Sequence, residues 1–140
     1  MSDESVEILL AEDNSEDAEM TLRALRRNNL ANNVRWVKDG AEALDYLFSA
    51  TTRPPKLVLL DIKMPKVDGI EVLRRVKADP ATQKIPVVVM TSSNEQSDIT
   101  ESYQLGANGY VVKPVEFGAF VEAISKIGMF WLMVNRGLRG

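Results

Sequence analysis

Five short apolar runs alternate along the chain with longer amphipathic stretches. Val6–Ala11, Val34–Val37, Leu57–Leu60, Ile85–Met90 and Gly109–Val112 are too short for buried helices and read as strands. Leu57–Leu60 is the sharpest of them. Four consecutive apolar residues between Pro54-Pro55 and Asp61-Ile62-Lys63-Met64-Pro65 fit a strand covered on both faces.

Between these runs the apolar positions recur at helical spacing. Ala18, Leu22 and Leu25 mark one face of a helix over Ser15–Asn29, with Ser15 as its N-cap and acidic residues in its first turn. A second helix, about Ala41–Phe48, buries Leu44, Leu47 and Phe48, and a loop covers Ser49–Pro55. Val67-Asp68-Gly69 supplies turn chemistry before a third helix, whose core face is Ile70, Leu73 and Val76 and which stops near Ala78-Asp79-Pro80. Asn94–Gln104 is mostly polar, a weakly amphipathic helix ended by Gly106, and its thin apolar face predicts the low local stability of elements that move. The last helix starts at Glu116 and turns Phe117, Phe120, Val121, Ile124 and Ile127 inward. Strand and helix alternating five times predict an α/β fold, a parallel sheet with helices on both faces, because parallel neighbours need right-handed helical crossovers.

Composition narrows the chemistry. At 140 residues, with 45% hydrophobic and 26% charged, the chain is expected to form one ordinary globular domain, with a core over about 6–127 and an apolar helical extension over about 128–135. A net charge of −3 argues against nucleic acid as the main partner, since phosphate-backbone binding needs clustered Lys and Arg. Arg23, Arg26 and Arg27 do cluster, but at the spacing of a solvated helix face. There is no cysteine, which excludes disulfides and thiolate chemistry, and no histidine, which excludes Ser-His-Asp catalysis, His-ligated metals and a phosphohistidine carrier. The first residues lack the basic and apolar regions of a signal peptide, and no apolar stretch reaches membrane-spanning length, so a cytoplasmic location is expected.

What remains is carboxylates, hydroxyls, lysines and hard metals. Glu12-Asp13, Asp61, Thr91 and Lys113 each follow or end an apolar strand, which puts them at the carboxyl edge of the sheet, where open α/β sheets bind ligands. Singly, each has a bland reading: strand-end carboxylates cap helices, a Thr there forms a turn, and a Lys is solvated. Four at equivalent positions point to a site. Three converging carboxylates repel one another, and a divalent hard cation such as Mg²⁺ relieves that conflict while accepting carboxylates, water and phosphate oxygens. Asp61 is then an oxygen nucleophile able to form an aspartyl-phosphate, with Lys113 and Thr91 stabilising charge on the phosphoryl oxygens.

Through Glu12-Asp13-Asn14, Asp61-Ile62-Lys63-Met64-Pro65, Asp68-Gly69, Thr91-Ser92 and Lys113-Pro114, the stretch Val6–Ile127 resembles a response-regulator receiver domain. The resemblance implies a flavodoxin-like doubly wound sheet of order 2-1-3-4-5. It implies that Asp61 takes a phosphoryl group from a sensor histidine kinase and signals to a downstream protein. It implies Mg²⁺ held by Asp13 and Asp61, by Glu12 mostly through water, and by the Lys63 backbone carbonyl. Thr91 and Lys113 would contact the phosphoryl group, and the Lys113-Pro114 bond would be cis, which only X-Pro bonds adopt at modest cost. Tyr110 matches an aromatic switch position, paired with Thr91, in a response that reshapes the Asn94–Gln104 helix, the last strand and the last helix; a half-buried strand aromatic is the other reading of the same residue. Residues Thr51–Pro55, Lys77–Pro80 and Thr91–Ser93 resemble the single-domain regulators that partner phytochrome-type kinases, a group in which Lys63 is often Asn.

Beyond Ile127 the chain stays apolar on every face through Gly128–Val134. A surface helix needs a polar side, so this segment must bury part of itself, either in a homodimer through Phe130, Trp131 and Met133 or back against its own chain. Two other functions compete with the phosphoacceptor. An aspartyl-nucleophile phosphatase needs a second Asp two residues after the nucleophile, where this chain has Lys63. A receiver-like module that only binds partners would lack part of the acidic set or the lysine, and all are present.

Overall fold

A computed structural model describes residues 7–27, 33–49, 53–92, 96–113 and 117–126. In chain order the elements are β1 Ile8–Ala11, α1 Ser15–Arg27, β2 Val34–Val37, α2 Gly40–Leu47, β3 Leu57–Leu60, α3 Gly69–Ala78, β4 Val87–Thr91, α4 Gln96–Gln104, β5 Gly109–Val112 and α5 Phe117–Lys126. All strand pairings are parallel, and the sheet runs β2-β1-β3-β4-β5, the doubly wound order expected of a receiver-like chain.

The apolar runs are continuous because the sheet is buried on both faces. Leu9, Ala11, Val58, Leu60, Val87 and Val89 pack on one side with Ala43, Leu44 and Leu47 of α2 and Val72, Leu73 and Val76 of α3. Ile8, Leu10, Leu57, Leu59, Val88 and Met90 pack on the other with Ala18 and Leu25 of α1 and Phe120 of α5. Strand periodicity deals alternate residues to the two layers, so each needs an apolar side chain.

Several details differ from expectation. Asn14, not Ser15, caps α1: its Oδ1 accepts from the Asp17 N–H at 2.9 Å and its carbonyl from the Ala18 N–H at 2.9 Å. Phe48 is 42% exposed rather than buried, because α2 ends at Leu47 and the backbone of Phe48 has left the helix. Strand β4 begins at Val87, two residues later than expected, and runs through Thr91. The end of α4 matches expectation: Gly106 has φ 109°, its N–H donates to the Tyr103 carbonyl, and the Ala107 N–H donates to that of Ser102. That pair of bonds is a Schellman closure, which requires the left-handed conformation glycine adopts at least cost. Among the described residues of α4 only Ser102 is buried, in keeping with its polar sequence. The cis bond expected at Pro114 and the segment carrying Phe130, Trp131 and Met133 lie outside the described residues.

Candidate functional site

The sheet register delivers the site. Ala11 pairs with Leu60, so Glu12 and Asp61 leave adjacent strands at one level, and Thr91 pairs with Val112, so Lys113 emerges one residue past Thr91. The ladders continue one step into these residues: Glu12 N–H donates to Val37 O at 3.1 Å, Asp61 N–H to Ala11 O at 3.0 Å, and Lys113 N–H to Thr91 O at 2.7 Å. The site backbone is therefore as rigid as the sheet.

The helix that follows Asp61 is fitted against it. Asp68 caps α3, its Oδ1 accepting from Glu71 N–H at 3.0 Å, while Gly69 N–H donates to Ile62 O at 2.7 Å. A Cβ on Gly69 would stand 2.0 Å from the Asp61 carbonyl oxygen, so only glycine admits this approach. The cap belongs to Asp68, which leaves the Asp61 carboxylate for other contacts. Its Oδ1 accepts weakly from Lys63 N–H at 3.4 Å.

The side chains converge as expected, with one addition. Glu12, Asp61 and Thr91 are buried and Asp13 is exposed. One oxygen each from Glu12, Asp13 and Asp61 lie within 4.8 Å of one another. Lys113, its side chain 10% exposed, reaches Glu12 Oε1 at 2.9 Å, Asp61 Oδ2 at 3.3 Å and, unforeseen, Asp17 Oδ2 at 2.8 Å. Glu12 is further fixed by Asn14 N–H on its Oε2 at 3.1 Å and by the Trp36 indole N–H on its carbonyl at 2.7 Å. Asp17 and Trp36 escaped sequence reading. The one available signal was that Asp17 lies four residues past Asp13, in the first turn of a helix leaving the same sheet edge. Tyr110, on β5, is half-buried against the layer formed with α2 and α3.

Electrostatically the site is under tension. Burial pushes the Glu12 carboxyl up to about 7, against the lowering pull of Lys113 and of the Asn14 N–H, with the Asp61 charge raising it further. Burial also acts against the Lys113 charge, but Asp17, Glu12 and Asp61 outweigh it and hold that ammonium above the ordinary lysine value. Three hard oxygen donors, one open to solvent and two in a buried, charge-frustrated wall, fit a small divalent cation such as Mg²⁺ or Mn²⁺.

An acidic pocket with a paired lysine at the carboxyl edge of a doubly wound sheet of order 2-1-3-4-5 is the arrangement expected of a receiver domain. The sequence pattern of the response regulator receiver domain matches residues 8–125, and the chain belongs to that family, a signalling domain of two-component systems. Its structural neighbours include bacteriophytochrome response regulators and response regulator Rcp1. It is 51% identical to the bacteriophytochrome response regulator RtBRR, covering 94% of this chain and 83% of that one, with a TM-score of 0.83. For the bacteriophytochrome response regulator AtBRR the figures are 49%, 96%, 100% and 0.83. Response regulator Rcp1 of Synechocystis sp. is 35% identical over 140 residues, covering 94% of this chain and 95% of that protein. A Mn²⁺-bound structure of Rcp1 superposes with a TM-score of 0.74 at 33% identity, over 89% of this chain and 93% of that one. Among the described residues no helix is long and apolar enough to cross a membrane.

Proposed function

We propose that this protein is a phosphoryl-accepting switch whose acceptor is Asp61 and whose donor is the phosphohistidine of a sensor kinase. The observation that carries this reading is the buried Asp61 carboxylate held 3.3 Å from the Lys113 ammonium at the rim of a three-carboxylate group. An Asp61 oxygen attacks phosphorus, the phosphorus–nitrogen bond of the donor breaks, and the imidazole, already protonated on its other ring nitrogen, leaves neutral with the electron pair. Lys113 donates to the phosphoryl oxygens, and Thr91, at the end of the neighbouring strand, contacts them through its hydroxyl. Asp13 and Asp61 directly, Glu12 mostly through water, and the Lys63 carbonyl would hold Mg²⁺, which would supply positive charge against the phosphoryl oxygens.

The response runs through Thr91 and Tyr110 to the surface of α4, β5 and α5, where Tyr103 and Val112 are exposed. The similarity to bacteriophytochrome regulators supports a phytochrome-type kinase as donor. A cytoplasmic location, a cis Lys113-Pro114 bond and a homodimer through Phe130, Trp131 and Met133 complete the proposal. Sedimentation at micromolar concentration showing only monomer would remove the dimer from it.

The test of the central claim is intact mass after incubation with acetyl phosphate, with and without Mg²⁺, for this protein and Asp61→Asn. One phosphoryl adduct that needs Mg²⁺ and is missing from the variant is the expected result. No adduct on folded protein would instead favour a phosphorylation-independent interaction module.

A further inference from the structure

The Lys113 ammonium has three N–H bonds and three carboxylate neighbours, and the shortest contact is one that the acceptor reading does not use. Asp17 Oδ2 stands at 2.8 Å, against 2.9 Å for Glu12 Oε1 and 3.3 Å for Asp61 Oδ2. Asp17 differs from the other two in origin. It comes from the first turn of α1 rather than from a strand end, and it lies outside the Glu12, Asp13 and Asp61 oxygen group.

Its place is nevertheless fixed. The Asp17 N–H is the one that the Asn14 cap accepts, which sets its backbone at the third position of the helix, and from there its side chain, 37% exposed, reaches Lys113. Glu12 is the more constrained of the two, being wholly buried with its second oxygen bound to Asn14 N–H. Two carboxylates therefore hold two of the ammonium's hydrogens, and the third is aimed at Asp61.

We propose that Asp17 is a positioning residue for phosphoryl transfer, holding Lys113 so that its remaining N–H meets the phosphoryl oxygens arriving at Asp61. The inference rests on Asp61 being the acceptor. With acetyl phosphate as donor, an Asp61 carboxylate oxygen forms the bond to phosphorus, the phosphorus–oxygen bond to the acetyl group breaks, and acetate leaves with the electron pair. No proton has to move, so what Lys113 contributes is a correctly placed N–H. A lysine with four rotatable side-chain bonds and one fixed partner fewer samples positions off that line. A misplacement of about 1 Å can cost about 10²-fold in rate, and because Glu12 still holds the ammonium the loss expected here is smaller, about tenfold.

The experiment compares wild type, Asp17→Asn, Asp17→Glu and Asp61→Asn. Phosphoryl incorporation from saturating acetyl phosphate and Mg²⁺ is followed by intact mass, and the lysine ammonium signals are recorded by ¹⁵N NMR without metal. In wild type, Lys113 should give a slowly exchanging, ordered ammonium signal. Asp17→Asn should broaden or lose that signal and slow incorporation about tenfold, and Asp17→Glu should restore most of both, which loss of helix stability alone would not explain. Incorporation into Asp17→Asn at the wild-type rate, or an unchanged ammonium signal, overturns the positioning role while leaving the acceptor reading intact. No incorporation into wild type overturns the acceptor reading and this proposal with it.

Discussion

Lys113 and Lys77 are both partly buried, and each is offered three oxygen acceptors, yet the fold puts them to opposite electrostatic use. Lys113 meets the carboxylates of Glu12, Asp17 and Asp61. Lys77, on the last turn of α3, meets three neutral acceptors: the Ile85 carbonyl at 2.7 Å, the Gln83 carbonyl at 3.1 Å and Asn108 Oδ1 at 3.1 Å. Burial is therefore unopposed at Lys77 and lowers its pKa, whereas carboxylates overcome burial at Lys113 and raise it. Lys77 ties the 79–85 turn to the start of β4 and β5, since Asn108 Oδ1 also accepts from Val87 N–H at 2.9 Å. Neutral carbonyls make a clamp. Concentrated opposite charge, which a phosphoryl group or a cation can enter and redistribute, makes a site.

Removing each ammonium should separate these roles most strongly. Lys113→Met should slow phosphoryl incorporation from acetyl phosphate by roughly 10²–10³-fold, the usual cost of losing one donor to a developing oxyanion. Lys77→Met should leave that rate within about twofold and lower unfolding stability by about 2 kcal/mol, because the Ile85 and Gln83 carbonyls lose a charged donor. Rates from intact mass and urea midpoints from circular dichroism give both numbers. A stable but unreactive Lys77→Met, or a fully reactive Lys113→Met, would break the contrast.

The sequence disclosed one of these lysines and not the other, for a physical reason. Lys113 ends an apolar strand at the same sheet edge as Glu12, Asp61 and Thr91, and strand ends are what hydropathy marks. Lys77 lies in an exposed-looking stretch of α3, and nothing in Val76-Lys77-Ala78 indicates acceptors eight and thirty-one residues away. The same limit hid Asp17, whose partner is ninety-six residues on, and Trp36, whose indole closes on Glu12. Periodicity reports which face an element buries, so the strand order's layers and most core positions were readable. It does not report which first-turn carboxylate swings inward, or whether Asn14 or Ser15 supplies a cap oxygen.

The smallest effect is also the sharpest comparison, because the two lysines should tilt the pH dependence of stability in opposite directions. The folded Lys113 binds its proton more tightly than the unfolded chain does, so the stability it contributes is complete below the ordinary lysine value of 10.5 and is lost as pH rises past it. The folded Lys77 binds its proton less tightly, so its contribution to stability grows as pH rises from its lowered pKa toward 10.5. Asn108→Asp converts the second environment toward the first. The new carboxylate keeps the shape of the amide, can still accept from Lys77 and Val87, and gives the ammonium an opposite charge. Stability near neutral pH should change by less than about 1 kcal/mol, as for other partly exposed pairs. The rise toward pH 10.5 expected in wild type, and expected to be missing from Lys77→Met, should flatten in Asn108→Asp. Urea unfolding at a series of pH values from 8 to 10.5 measures the slope directly, and an undiminished rise in Asn108→Asp would mean that neutral acceptors are not what sets Lys77 apart.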